Sequence, residues 1–303
     1  MKEIIHIKHI SEVHDLLGID KPRHPLVTVL PINEKLVNYD FGDYTYVFDF
    51  YQVSLKAGLS GSFSYGANSY DFREGMMIFM KPNQTVKMNR QDEIKGNKGW
   101  TLLFHPDLLR KSDLGISIEE FSFFNYDVKE ALFLSDQEKR TLTDLVEKIE
   151  SEYSQHIDKH SQELIITNIE LLLKYCRRYF DRQFYTRTNY NKDVITQFEQ
   201  LIREYYAANK PAEHGVLTVS YCAEKLNMSS NYLGDLLRNE TGKSAKEHLQ
   251  DYLIDKAKTH IIGSNDPISD IAFRLGFEYP QSFNKLFKAK TGLSPREYRN
   301  TAA

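Results

Sequence analysis

Hydrophobic positions along the chain change rhythm twice. From Leu26 to about Glu130, apolar and aromatic residues come in short runs such as "DYTYVFDFYQVSL", "GMMIFMKPNQTVKM" and "GWTLLFHP", separated by Gly, Pro and Asn. Runs of this length at close intervals predict short strands of a β-sandwich or small barrel, and Pro-Asn after an apolar run marks a turn. At Ser135 the rhythm becomes helical. "SDQE", Ser135 to Glu138, has capping-box form, and Leu142, Leu145, Val146, Ile149 and Tyr153 follow at three- and four-residue spacing. Ile165, Ile169, Leu172, Cys176 and Phe180 make a second stripe. Two such helices can pack on each other, on the β region or on a second copy of the chain, and periodicity alone favours a dimer seam no more than an intramolecular hairpin. The pattern lapses over Asp181 to Lys192, where a domain boundary is expected. It resumes at Asp193, with Val194, Ile195, Phe198, Leu201, Ile202 and Tyr205 on one broad face.

The C-terminal part repeats itself at an offset of 50 residues. Leu233, Leu236 and Leu237 fall on Phe283, Leu286 and Phe287, and Arg238 falls on Lys288. Thr241, Gly242, Ser244 and Glu247 fall on Thr291, Gly292, Ser294 and Glu297, so each copy pairs a helix-ending glycine with a new capping box. A shorter helix precedes each copy. In the first, Val219, Ala223 and Leu226 share a face; in the second, Asp266 and Pro267 are read as N-cap and first helical residue, followed by Ile268, Ile271, Ala272 and Leu275. Gly276 suits a positive φ, and Pro280 sits where a helix tolerates it. Helix, tight turn and helix make a helix-turn-helix unit, here expected at about 218–240 and again at about 268–290. Between them, Ala245, Leu249, Leu253, Ala257 and Ile261 line a helix of roughly 19 residues, about 28 Å long. One DNA turn is about 34 Å, so such a strut suits two recognition helices in successive major grooves.

The outward faces carry the candidate chemistry. Gln281, Asn284, Lys285 and Lys288 lie opposite the apolar stripe of the second copy. They offer amides for base edges and ammonium groups for guanine or phosphate. The first copy presents Asn231, Gly234, Asp235 and Arg238, with Ser230 beside them. That set is poorer, because Asp235 repels phosphate and Gly234 has nothing to read with. A polar helix face is ordinary by itself; its duplication on a strut is what points to DNA.

Composition adds limits. With 303 residues, 41% of them apolar, the chain has material for two or more cores. Net charge is −3 overall, and residues 187–303 hold 16 Lys+Arg against 14 Asp+Glu, so DNA binding rests on where the charges sit. The two cysteines, Cys176 and Cys222, are far apart without CxxC spacing, which argues against a disulfide framework or a thiolate zinc site and fits a reducing cytoplasm. Charges interrupt the N-terminal stretch, and no apolar run approaches the roughly 20 residues that span a bilayer, so no membrane partner is expected. GxSxG, P-loop, Rossmann and HExxH patterns are absent and the ten histidines form no ligand cluster, so neither an enzyme nor a cofactor is expected.

The stretch "ISDIAFRLGFEYPQSFNKLFKAKTGLSPREYR" closely resembles the signature of the AraC/XylS family of bacterial transcription regulators. The matching residues are Ile268, Ile271, Ala272, Gly276, Phe277, Phe283, Phe287, Lys288, Gly292, Ser294, Pro295, Tyr298 and Arg299. The resemblance covers Asp193 to Arg299 and implies a seven-helix DNA-binding domain with recognition helices at about Ser229 to Glu240 and Pro280 to Lys290. It implies base readers among Asn231, Gln281, Asn284 and Lys285, and phosphate contacts from Arg238 and Lys288. At Gly234 and Asp235 the sequence departs from the larger polar or basic groups that members of the family often carry. The N-terminal part resembles the family's cupin-type sensor, through "GMMIFMKPNQTVKM" and "LLFHPDLL". With no histidine between His24 and His105, a barrel free of metal is expected.

The organisation implied is an α+β multidomain chain. Residues 1–134 form a cupin-like β-barrel with flanking helices, 135–186 a helical linker and dimerisation region, and 187–303 an all-α DNA-binding domain. Its partners are double-stranded DNA, a small-molecule effector in the barrel, RNA polymerase and a second copy of the chain; the alternative is a barrel that binds no small molecule and serves dimerisation or protein contacts. No effector-binding residue is assigned. Most of the aromatics Tyr44, Tyr46, Phe48, Phe50, Phe63 and Tyr65 are read as core, since strand aromatics pack against the opposite sheet.

Overall fold

The computed structural model describes residues 4–32, 44–57, 62–65, 68–71, 75–87, 98–127, 130–155 and 158–302. It divides into two units, Met1–Gln183 and Phe184–Ala303. The first contains β1 (Ile4–Ile7), α1 (Ile10–Leu16), β2 (Val27–Ile32), β3 (Thr45–Phe48), β4 (Tyr51–Ala57), β5 (Ser62–Tyr65) and β6 (Asn68–Asp71). After these come β7 (Met76–Met80), β8 (Gln84–Lys87), β9 (Lys98–Phe104), α2 (Pro106–Leu109), α3 (Asp113–Ser117) and β10 (Leu132–Phe133). Two long helices, α4 (Asp136–Ser154) and α5 (Ser161–Thr186), follow.

The strands form a five-stranded antiparallel sheet in the order β10-β7-β4-β9-β2, a three-stranded sheet in the order β1-β3-β8, and the hairpin β5-β6. Two bends carry the chain from one sheet to the other. Asp49 and Phe50 separate β3 from β4, and the Pro82-Asn83 turn, with Asn83 at φ 64°, separates β7 from β8. These corners leave two distinct sheets. Among the described residues these strands form no closed barrel, while the mixture of sheet and helix expected of the first unit is present. Tyr46, Phe48 and Phe50 are buried with Ile7 of β1, Ile10 and Val13 of α1, Leu30 of β2 and Leu103 of β9, so these aromatics are core. Tyr44 is partly exposed, and the side chains of Phe63 and Tyr65 lie outside the described residues. His14, also buried, bonds the Asp20 carbonyl and the Thr28 hydroxyl.

Both helical stripes read from the sequence are buried within this unit. Every member from Leu142 to Tyr153 and from Ile165 to Phe180 is at most 5% exposed. Their neighbours explain this. The Val29 amide donates to the Tyr153 hydroxyl at 3.0 Å, Trp100 Nε1 donates to Thr143 Oγ1 at 3.0 Å, and Phe180 stacks on Phe123. The stripes thus pack within the first unit, and the apolar faces considered for a second copy are buried there. Ser135 and Glu138 form the capping box that opens α4.

In the second unit, α6 (Thr188–Ala207) begins five residues before the expected start, after a break at Arg187 alone. It leads to α7 (Pro211–His214), α8 (Val219–Lys225), α9 (Ser230–Thr241), α10 (Ala245–Gly263), α11 (Ile268–Arg274), α12 (Pro280–Thr291) and α13 (Pro295–Ala302). Leu253, Ile254, Ala257 and Ile261 of α10 form one core with Ile271, Ala272, Leu275, Phe283 and Phe287. Complete burial of each of those two phenylalanines contributes about 1.5–3 kcal/mol. No helix among the described residues is long and apolar enough to cross a membrane.

Candidate nucleic-acid interface

Two helix pairs, α8 with α9 and α11 with α12, precede and follow α10 in the chain. Their turns are built alike. After α8, Leu226 bonds back to Cys222, Asn227 to Glu224 and Met228 to Ala223; after α11, Leu275 bonds to Ile271, Gly276 to Phe273 and Phe277 to Ala272. Asn227 (φ 54°) and Gly276 (φ 93°) both take the left-handed conformation that reverses the chain. These partners are 49 residues apart, whereas the following helices match at 50. The second turn therefore contains one extra residue, which hid the likeness of the first helices from a comparison at a single offset.

Gly276 also permits a close approach. A Cβ there would stand 2.5 Å from the Gly215 carbonyl carbon and 2.7 Å from the Val216 nitrogen. The loop before α8 thus lies directly against the second turn. Pro280 occupies the first turn of α12, as read from the sequence. Asp266 does not cap α11 as expected. Pro267 holds the N-cap position without a side-chain bond, while the Asp266 carboxylate pairs with Arg274, which holds its pKa below the ordinary carboxylate range.

The ends of α9 and α12 match bond for bond. Gly242 and Gly292 are left-handed, and their amides donate to the Arg238 and Lys288 carbonyls. The Thr241 and Thr291 hydroxyls donate to Leu237 and Phe287. Ser244 with Glu247, and Ser294 with Glu297, make reciprocal capping boxes. These bonds favour the charged carboxylates and lower both glutamate pKa values. The strut α10 is 19 residues long, about 28 Å at 1.5 Å per residue.

Against this frame, the inward positions Leu233, Leu236, Leu237, Phe283 and Phe287 are all fully buried. Ser230, Asn231 and Arg238 of α9, and Gln281, Asn284, Lys285 and Lys288 of α12, are exposed. Their electrostatic settings differ. Arg238 has the Asp235 carboxylate 3.8 Å away, one helical turn back, so part of its charge is already answered. Lys285 and Lys288 have no carboxylate within ion-pair distance among the described residues. Lys290, on the same helix, instead bonds Asp251 Oδ1 at 2.9 Å, while Lys243 bonds Asp251 Oδ2 at 2.8 Å. The two ammonium groups hold the Asp251 carboxyl below its ordinary pKa. One carboxylate on the strut therefore holds Lys243, just beyond the Gly242 cap of α9, and the last turn of α12.

Arg299, part of the recognised signature, has a structural place. Its guanidinium donates to the carbonyls of Ile261 and Asp266, satisfying the end of the strut and the start of the next loop. Sequence reasoning missed Asp251, Asn191 and the 58%-exposed Tyr279 that precedes Pro280. Each of the first two has one partner 39 or more residues away, which no local spacing discloses.

Residues 222–301 match a family described as "Helix-turn-helix domain". Over 85 residues, 28% of this chain and 35% of the relative, the sequence is 32% identical to the uncharacterized HTH-type transcriptional regulator YobQ of Bacillus subtilis. Over 80 residues, 26% of this chain and 27% of the relative, it is 36% identical to the HTH-type transcriptional activator RhaR of Yersinia pseudotuberculosis. The chain thus spans about a third of the length of these curated relatives, which are named as regulators and not as enzymes. Among solved structures, the C-terminal domain of AraT, a response regulator from Geobacillus stearothermophilus, is 30% identical over 36% of this chain and 84% of that one, with a TM-score of 0.32. The second unit of this chain carries a helix-turn-helix domain, matched over residues 222–301.

Proposed function

We propose that the chain is a cytoplasmic, sequence-specific transcription regulator that reads two successive major grooves and is controlled by a small-molecule effector bound in its first unit. The observation that carries this reading is a pair of helices with matching C-terminal caps flanking a 19-residue strut, one of them presenting two amides and two lysines that have no ion-pair partner among the described residues. In this reading Gln281, Asn284 and Lys285 contact base edges and Lys288 contacts phosphate. Ser230, Asn231 and Arg238 supply a weaker set, because Asp235 competes with phosphate for Arg238. Specificity then rests mainly on the second helix.

The test is selection of duplexes from a random pool, followed by fluorescence anisotropy at several salt concentrations. One enriched motif, bound with a steep salt slope, is expected. Equal affinity for selected and shuffled duplexes would overturn the proposal. Thermal-shift screening of metabolites, with and without the selected duplex, tests the effector.

A further inference from the structure

The position just before the helix-ending threonine is held in both recognition helices by a residue from outside its own helix pair. In the second helix it is Lys290, held by Asp251. In the first it is Glu240, held by Asn191 of α6. Asn191 is completely buried, and its Nδ2 donates to Glu240 Oε1 at 2.6 Å and to the Phe184 carbonyl at 2.7 Å. Its Oδ1 is buried with no hydrogen-bond partner among the described residues. Flipping the amide would set that oxygen against a carbonyl and a carboxylate, so the orientation is fixed by its neighbours. The Phe184 ring lies 5.1 Å from that of Tyr232, a fully buried residue of the first recognition helix.

One amide therefore joins three elements: the last turn of α5, the first turn of α6 and the last turn of α9. An unsatisfied buried oxygen is costly, and a leucine would fill the same space without it. Retaining the amide makes sense where it fixes direction as well as volume. We propose that Asn191 is a positioning residue for DNA reading: by holding Glu240 it sets the angle at which α9 presents Asn231 and Arg238 to the first groove. This rests on the two-groove reading above.

The experiment compares the wild type with Asn191→Asp, which places a carboxylate against Glu240, and with the double variant Asn191→Asp/Glu240→Gln, which restores a donor–acceptor pair of reversed polarity. Hydrogen exchange of the α9 amides is measured on the free full-length chain. Anisotropy is measured on the selected duplex and on one scrambled in the half whose preference Asn231→Ala abolishes. Asn191→Asp is expected to speed exchange over the last turn of α9 and to weaken the intact duplex about tenfold, while the half-scrambled duplex changes less than about twofold. The double variant regains the contact to residue 240 but not the one to the Phe184 carbonyl, so it is expected to return both readouts part of the way to wild type. Equal loss on both duplexes would reveal mere destabilisation and overturn the proposal, as would unchanged exchange. If the wild type fails to distinguish the duplexes, the two-groove reading fails on its own, and exchange with its rescue still decides whether Asn191 holds α9.

Discussion

Alanine at Gly276 separates two costs that the second unit distributes over different glycines. Gly242, Gly276 and Gly292 have positive φ of 74°, 93° and 80°. At Gly242 and Gly292 an added Cβ would meet nothing within 4 Å, leaving only the backbone cost of a left-handed L-residue, roughly 1–2 kcal/mol. At Gly276 the Cβ would press on the Gly215–Val216 backbone, which cannot swing aside as a side chain can. Overpacking of that kind adds about 1–3 kcal/mol, bringing the total to roughly 2–5 kcal/mol. At about 0.05–0.15 kcal/mol per residue, that is a large part of this unit's stability. Cys222 supplies the reporter: it is fully buried in α8, and burial pushes its thiol up to about 12. Pulsed alkylation across a urea series, read at Cys222 by mass spectrometry, measures opening of the second unit by itself. Gly276→Ala is expected to be the least stable of the three alanine variants by at least about 1 kcal/mol. Equal stability of all three would refute the close approach at the second turn.

Three further outcomes follow from the interface. Lys288→Ala is expected to weaken binding to every duplex alike and to flatten the salt slope by about one, as loss of one phosphate contact requires; a response confined to certain base substitutions would assign Lys288 to base reading instead. Gln281→Ala is expected to relax preference at one or two base pairs and cost about 1–3 kcal/mol on the selected site, checked by repeating the random-pool selection. The Asp251 carboxyl has a folded pKa below its ordinary 3.8, so the stability it contributes is complete above that value and is lost as pH falls through the lowered folded one. Asp251→Asn should therefore remove part of the acid sensitivity of the Cys222 opening reaction while costing under about 1 kcal/mol at neutral pH, because the pairs are half-exposed.

What the sequence disclosed was what local chemistry dictates. Capping boxes at Ser135 and Ser244, the glycine stop at Gly242, the helix-compatible Pro280 and the buried stripes of α4, α5 and α10 all depend on residues within one or two turns. The sandwich-or-barrel ambiguity lay beyond that range, since it turns on which sheet β4 and β8 join after the bends at Asp49 and Asn83. Asp266 misled because an N-cap and an ion-pair partner for Arg274 look the same in one dimension. The start of α6 was hidden by the polar run from Thr188 to Lys192, within which Asn191 is tied to Phe184 and Glu240. Outward residues such as Gln281 and Lys285 were legible from the 100° periodicity, whereas Asp251 was not, its role existing only after Lys243 and Lys290 have been brought together.

Hydroxyl-radical footprinting of the selected duplex tests most directly whether both recognition helices read DNA. Two protected patches on one face of the duplex, about ten base pairs apart, are expected, with Asn231→Ala clearing one patch and Gln281→Ala the other. Protection of a single groove, unchanged by Asn231→Ala, would contradict the two-groove reading and leave α9 as a support for α12.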